Sequence, residues 1–206
     1  MSTAQDRTGW YGKLPTLGDF ASRRLAPELI EAWDDWLADG LAAWRAQVGD
    51  GWLADYLNGP SWRFVLPPGL LPAQPTPLAG VLMPSVDRVG RYFPFSLLRP
   101  LPKNGAAAGG GQVLSQPLLC WLHRLDDLAV DAMQDDWEVA ELERELEKLD
   151  AEPPVCDGEP VLPLLEPGQA CWWREDELGR PQPWISRGLP TGAALIALLR
   201  GAPWTA

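Results

Sequence analysis

Residues 80–95, GVLMPSVDRVGRYFPF, gather the side chains best equipped for chemistry. Ser85 offers a hydroxyl, Asp87 a carboxylate, and Arg88 and Arg91 two guanidinium groups. A carboxylate among guanidiniums can take part in proton transfer, or it can lock a loop through charge-assisted hydrogen bonds. Ser85 is no nucleophile elbow, because it sits in Met83-Pro84-Ser85-Val86-Asp87 and not in GxSxG. A serine hydrolase also needs a base, and His123 is the sole histidine. It falls beside Leu122 and Leu125 on an expected helix, where a surface role is the expectation. Gly12-Lys13 reads as a fragment of a phosphate loop, but Arg7 stands where the first glycine belongs. Leu14 replaces the hydroxyl residue that would contact magnesium. A rigid Gly/Pro turn is expected instead, with Lys13 pairing Asp19 across it. Asp19 and Asp87 would serve as an acid–base or metal-binding carboxylate pair only if the fold brought them together. For Asp87 the expected partners are Arg88, Arg91 or backbone amides.

The elements that must position these residues are legible in the pattern. Trp10-Tyr11 begins a short strand, and Gly12, Pro15 and Gly18 force turns. From Pro27, the residues Leu29, Trp33, Trp36, Leu37, Leu41, Trp44 and Val48 recur at helical spacing. Gly49-Asp50-Gly51 ends that helix, and Trp52–Leu57 suggests a short second one. Trp62, Phe64 and Leu66 alternate with Arg63 and Val65, as a strand does. Ala79–Met83 and Tyr92–Leu98 are two further strands with the charged residues between them. Pro94 predicts an edge position or a bulge in the second. Residues 99–112 read as a flexible connection. Ser115 is expected to cap a helix to about Asp131. Asp135 and Glu138 have capping-box spacing for another, to Asp150. Residues 151–168 form a proline-rich excursion. Cys171–Trp173 and Pro183–Ile185 form a final hairpin around Glu175–Arg180, before a helix at 191–200. No internal repeat is evident. This order predicts an α/β fold: one layered domain with a mixed β-sheet flanked by helices. A segregated α+β arrangement is the alternative.

Charge narrows the function classes. The net charge is −11. The stretch 126–152 alone holds 12 acids and 2 bases, so one peripheral acidic helical segment carries nearly the whole excess. That disfavours general nucleic-acid binding, which needs a basic footprint. The segment is either a solvated face or a means of steering a basic partner. Hydrophobic residues make up 46%, enough for a packed domain. The twelve tryptophans are expected mostly as core anchors. Cys120, Cys156 and Cys171 lack CxxC spacing and are expected as reduced, partly buried thiols. With one histidine they make no zinc set. The N-terminus has no apolar signal core, and no run approaches the roughly 20 residues that span a bilayer. A cytoplasmic location without membrane insertion is expected.

GWYGKLPTLGDF at 9–20, WDDWL at 33–37, WRFVLPPG at 62–69 and GVLMPSVDRVGRYFPF at 80–95 together resemble the TagF family, also called ImpM. Cys171-Trp172-Trp173 and Gly188-Leu189-Pro190 extend the likeness, which covers about residues 9–200. The resemblance implies one TagF/ImpM-like domain at 9–200 and a cytoplasmic role after translation in restraining bacterial type VI secretion. It also implies an interaction protein, with no catalytic, metal or cofactor-binding residue to assign and no cofactor. A regulatory or scaffold protein of that system is the implied partner, with a forkhead-associated scaffold first. Lys13, Asp19, Trp62, Arg63, Ser85, Asp87, Arg88 and Arg91 are the candidate structural or partner-binding positions. The alternative is a small hydrolase or phosphate-binding enzyme using the Lys13/Asp19 and Ser85/Asp87/Arg91 loops.

Overall fold

A computed structural model describes residues 7–72, 74–102, 114–152 and 165–202. The connections expected at 99–112 and 151–168 fall largely outside these residues, as does Cys156. The chain runs β1 (Gly9–Lys13), β2 (Phe20–Arg23), α1 (Pro27–Val48), α2 (Trp52–Leu57), β3 (Trp62–Leu66), β4 (Leu78–Met83) and β5 (Phe95–Pro100). It continues through α3 (Gln116–Gln134), α4 (Val139–Ala151), β6 (Gln169–Glu175), β7 (Pro181–Arg187) and α5 (Gly192–Arg200). The strands form one sheet in the order β2-β1-β5-β4-β3-β6-β7.

Where the pattern suggested mixed strand directions, every pairing between these strands is antiparallel. Connectivity explains this. The first crossover, through α1 and α2, returns the chain so that β2 and β3 run the same way, but β1, β5 and β4 lie between them. Two helices, α3 and α4, separate β5 from β6. An even number of traverses brings β6 in against β3 in the opposite direction. The β4–β5 hairpin forms as expected, with Val81 opposite Leu97 and Met83 opposite Phe95. β5 begins one residue after Pro94, which therefore takes no part in the ladder.

Helices cover both faces. Trp62, Phe64 and Leu66 point into a core shared with Trp33, Trp36, Leu37, Leu41 and Trp44 of α1 and with α5. Val65, on the other face, joins Leu122 and Leu125 of α3 and Leu142 and Leu146 of α4. The period-2 and period-3.6 patterns meet here as alternate strand residues and helix stripes. The indole N–H groups of Trp33, Trp36 and Trp62 donate to Ser96 Oγ, Pro190 O and Leu198 O, which satisfies these three buried donors.

α4 is more than a peripheral element. Leu142 and Leu146 are fully buried, and each such burial is worth about 1.5–3 kcal/mol. Acids of the 126–152 stretch also reach back to early strands. Asp126 pairs with Arg63, Glu143 with Arg24, and Asp150 with Arg99. The expected caps take another form. Ser115 and Glu138 occupy the cap positions of α3 and α4, but neither side chain makes a capping hydrogen bond. The thiols differ from expectation at one position: Cys120 is disulfide-bonded. Cys171 is a free, buried thiol whose pKa desolvation pushes up to about 12. Among the described residues no helix is long and apolar enough to cross a membrane.

Candidate functional site

The alternation of β1 sends Lys13 to the α1 face of the sheet, beneath the 84–94 connection. Its ammonium donates to Asp87 Oδ2 at 2.6 Å, and both side chains are buried. The expected Lys13–Asp19 pair does not form. Asp87 lies 74 positions away and supplies a carboxylate that three further groups also bind. Val89 N and Arg91 N donate to Oδ1 at 3.0 and 2.9 Å, and Arg91 Nε donates to Oδ2 at 2.8 Å. Burial alone would raise the Asp87 pKa. The Lys13 hydrogen bond and those from Arg91 and Val89 outweigh it and hold the carboxyl well below the usual range. The Phe20 ring lies 4.3 Å from the Lys13 ammonium, adding a cation–π contact. Lys13 is therefore enclosed by one carboxylate and one aromatic face.

Ser85 is buried beside this pair. Its hydroxyl donates to Lys13 O at 2.6 Å, and its N–H donates to Tyr56 Oη at 2.9 Å. Tyr56 in turn donates to Ser85 O, stapling α2 to the loop. The Ser85 hydroxyl thus has Lys13 O as its near acceptor, with Met133 Sδ of α3 at 3.3 Å as a second. His123, the only candidate base, lies on α3 with Nδ1 3.6 Å from Glu175. Arg91 also donates to Gly18 O and stands 3.7 Å from Asp19, whose side chain is 81% exposed. Arg88 N donates to Leu17 O, while its side chain is exposed. Two surface clefts, one lined by Arg24 and Asp150 and the other by Arg174 and Asp176, include neither Lys13, Ser85 nor Asp87.

The eight candidate residues therefore divide. Lys13, Asp19, Ser85, Asp87, Arg88 and Arg91 meet around one connection. Trp62 and Arg63 do not join them. Trp62 is buried toward α5, and Arg63 points to the opposite face, where Asp126 and Glu175 bind its guanidinium. Ser61 Oγ also donates to Asp126. Arg63 thus ties α3 to β3 and β6, a structural duty that strand alternation alone does not reveal. Sequence reasoning missed Tyr56, because its hydrogen bonds to Ser85 cross 29 positions and leave no local pattern.

A local repeat emerges where none was read. Asp87-Arg88-Val89-Gly90-Arg91 recurs in form as Asp176-Glu177-Leu178-Gly179-Arg180, the β6–β7 turn. In the second copy Leu178 N and Arg180 N donate to Asp176 Oδ1, and Arg180 Nε donates to Oδ2. Asp176 N donates to Arg180 O and Gly179 N to Asp176 O, just as Asp87 N does to Arg91 O and Gly90 N to Asp87 O. Gly90 and Gly179 take φ of 81° and 72°, which favours glycine. This is the three-residue hairpin loop with its αL glycine. Alternation of β4 and β6, which run the same way, sets both turns at the same end of the sheet. The shared signal, D-x-[VL]-G-R, was legible but too short to count as a repeat. Arg180 is the chief group holding the Asp176 carboxyl down, to about 2. Among the described residues no lysine pairs with Asp176. Asp87→Ala should therefore lower the urea midpoint clearly more than Asp176→Ala, and equal shifts would show that the Lys13 contact adds nothing.

The described residues thus form an antiparallel sheet between two helical layers, with Lys13, Ser85 and Asp87 of its polar connection engaged in internal hydrogen bonds. The TagF N-terminal domain family, described as type VI secretion system-associated, matches residues 9–149, and the chain belongs to that family. The chain is also similar to a solved structure, PA0076 from Pseudomonas aeruginosa PAO1. The two share 31% identity over 97% of this chain and 96% of the other, with a TM-score of 0.73. No curated protein matches the chain.

Proposed function

We propose that this protein restrains type VI secretion from the cytoplasm by stoichiometric binding of a regulatory or scaffold protein, as one TagF-like unit over residues 9–200. A forkhead-associated scaffold is the first partner to try. Family membership carries the reading. The local chemistry supports a non-enzymatic role, because the Ser85 hydroxyl is donated to Lys13 O and lies apart from His123. The contact is the tip of the 84–92 connection. There Val89 is 64% exposed, and Arg88 is exposed with no ion-pair partner among the described residues. Arginine is among the residues enriched at binding hot spots, and Arg88 stands exposed on a rigid turn. The buried Lys13–Asp87 pair keeps that tip in one geometry, which limits the ordering lost on binding.

The test is a pulldown from cells producing the protein at native and elevated levels, read together with secretion. Elevated wild-type protein should lower secretion. Arg88→Glu should fold normally, weaken capture of the partner by about 2 kcal/mol, and restore secretion. Secretion unaffected by elevated wild-type protein would sink the restraining role. Repression that survives complete loss of binding would point away from titration of a partner.

A further inference from the structure

The two edges of the sheet are unlike. β7 carries Pro181 and Pro183, which lack main-chain donors and blunt an edge against pairing. β2 carries no proline and, among the described residues, pairs with β1 on one side alone. Its residues are Phe20, Ala21, Ser22 and Arg23, preceded by Asp19. Phe20 is 42% exposed, a large apolar side chain at an open edge. Arg23 is exposed, has no ion-pair partner among the described residues and lies over the Trp10 ring at 5.7 Å. Asp19 is 81% exposed, and its ion-pair partner is Arg91, 3.7 Å away.

We propose that β2 is the seam of a homodimer, in which the β2 strands of two copies pair antiparallel and join the two sheets. This goes beyond the regulatory reading and uses different residues. Symmetry selects the register. A two-fold axis perpendicular to a continuous sheet keeps like faces together, and residues directly opposite each other point to the same face. The numbers of facing residues must therefore sum to an even value. With Ala21 on the axis, Asp19 faces Arg23 of the second copy, and the contact occurs twice. On the other face, Phe20 faces Ser22 of the second copy. The two Phe20 positions then lie diagonally, about 7–8 Å apart along the ladder, within reach for aromatic side chains. Moving the axis to Ser22 puts Asp19 against Leu25. Moving it to Phe20 puts Asp19 against Ala21. Charge complementarity survives only with Ala21 at the centre, so the edge is self-complementary in one register.

Light scattering over a concentration series at low salt tests this. Wild-type protein should approach twice the 22.7 kDa chain mass as concentration rises. Asp19→Arg and Arg23→Asp should each weaken association by roughly tenfold or more, through like charges facing across the seam. The double variant Asp19→Arg/Arg23→Asp restores both pairs and should dimerise as the wild type does. Ala21→Cys should form a covalent dimer under mild oxidation. A wild-type protein that stays monomeric overturns the proposal. So does a folded double variant as weak as the single ones, or an Ala21→Cys that fails to cross-link. Arg88 lies outside the seam, so an Arg88→Glu variant that loses its partner yet still dimerises separates this result from the regulatory one.

Discussion

Lys13→Ala should lower the unfolding free energy by about 3–5 kcal/mol, read as a large drop in the urea midpoint. The loss exceeds that of an exposed ion pair, typically about 0–1 kcal/mol, because both partners are buried. Removing the ammonium leaves the Asp87 carboxylate buried with Arg91 and two amides but without its strongest partner. It also empties the space under the Phe20 ring. A single domain holds only about 5–15 kcal/mol in total, so the variant sits near the threshold of folding. A pH series adds a second readout. The Asp87 carboxyl is held low in the folded protein. Its contribution is complete above the ordinary value of 3.8 and is lost as pH falls below it. Wild-type stability should therefore drop on acidification through that range, and Lys13→Ala should show a shallower drop. An unchanged midpoint in Lys13→Ala would move the pair from scaffold to surface.

Gly12→Ala should be comparably severe, at about 3 kcal/mol or more. Gly12 has φ of 128°, outside the range an alanine adopts without strain. A Cβ there would stand 2.2 Å from Pro94 O and 3.0 Å from Phe95 Cα, and backbone cannot move aside as a side-chain tip can. Two penalties therefore add, one conformational and one steric. Thermal melts of Gly12→Ala against wild type decide the matter, and an unchanged melting temperature would contradict the packing of β1 on β5. The glycine that resembled part of a phosphate loop is thus required by close approach of two strands.

How far the sequence carries depends on whether an interaction is local. The α1 stripe was legible because Leu29, Trp33, Trp36, Leu37, Leu41 and Trp44 share one face, and all are buried. The β4–β5 and β6–β7 hairpins were legible because their strands adjoin across short polar turns. β2 was not, since Phe-Ala-Ser-Arg shows no alternation and its pairing is set by β1. The strand directions were not, because they depend on how many helices intervene. The candidate site was half readable. Asp87 with Arg91 is an i,i+4 relation within one turn, whereas Lys13 with Asp87 and Tyr56 with Ser85 are joined only by the fold. The acidic run showed as charge. That Asp126, Glu143 and Asp150 are spent on Arg63, Arg24 and Arg99 did not, because their partners lie far back in the chain.

The last helix closes the first. Trp36 of α1 donates to Pro190 O, just before α5, and Leu195 of α5 occupies the space beside Gly40 that a side chain there would fill. A ribosome makes α1 long before α5. At about 5–20 residues per second, the interval between Val48 and Gly192 is on the order of ten seconds. Until then the part of α1 around Trp36 and Gly40 lacks its α5 cover, although β3 and β5 are already made to pack on Trp33, and Trp62 lacks the α5 carbonyl that accepts its N–H. That patch of the N-terminal helix stays uncovered until the C-terminal one arrives. Folding of this domain therefore completes only after synthesis of its C-terminal helix, which joins the two ends of the described chain in one core.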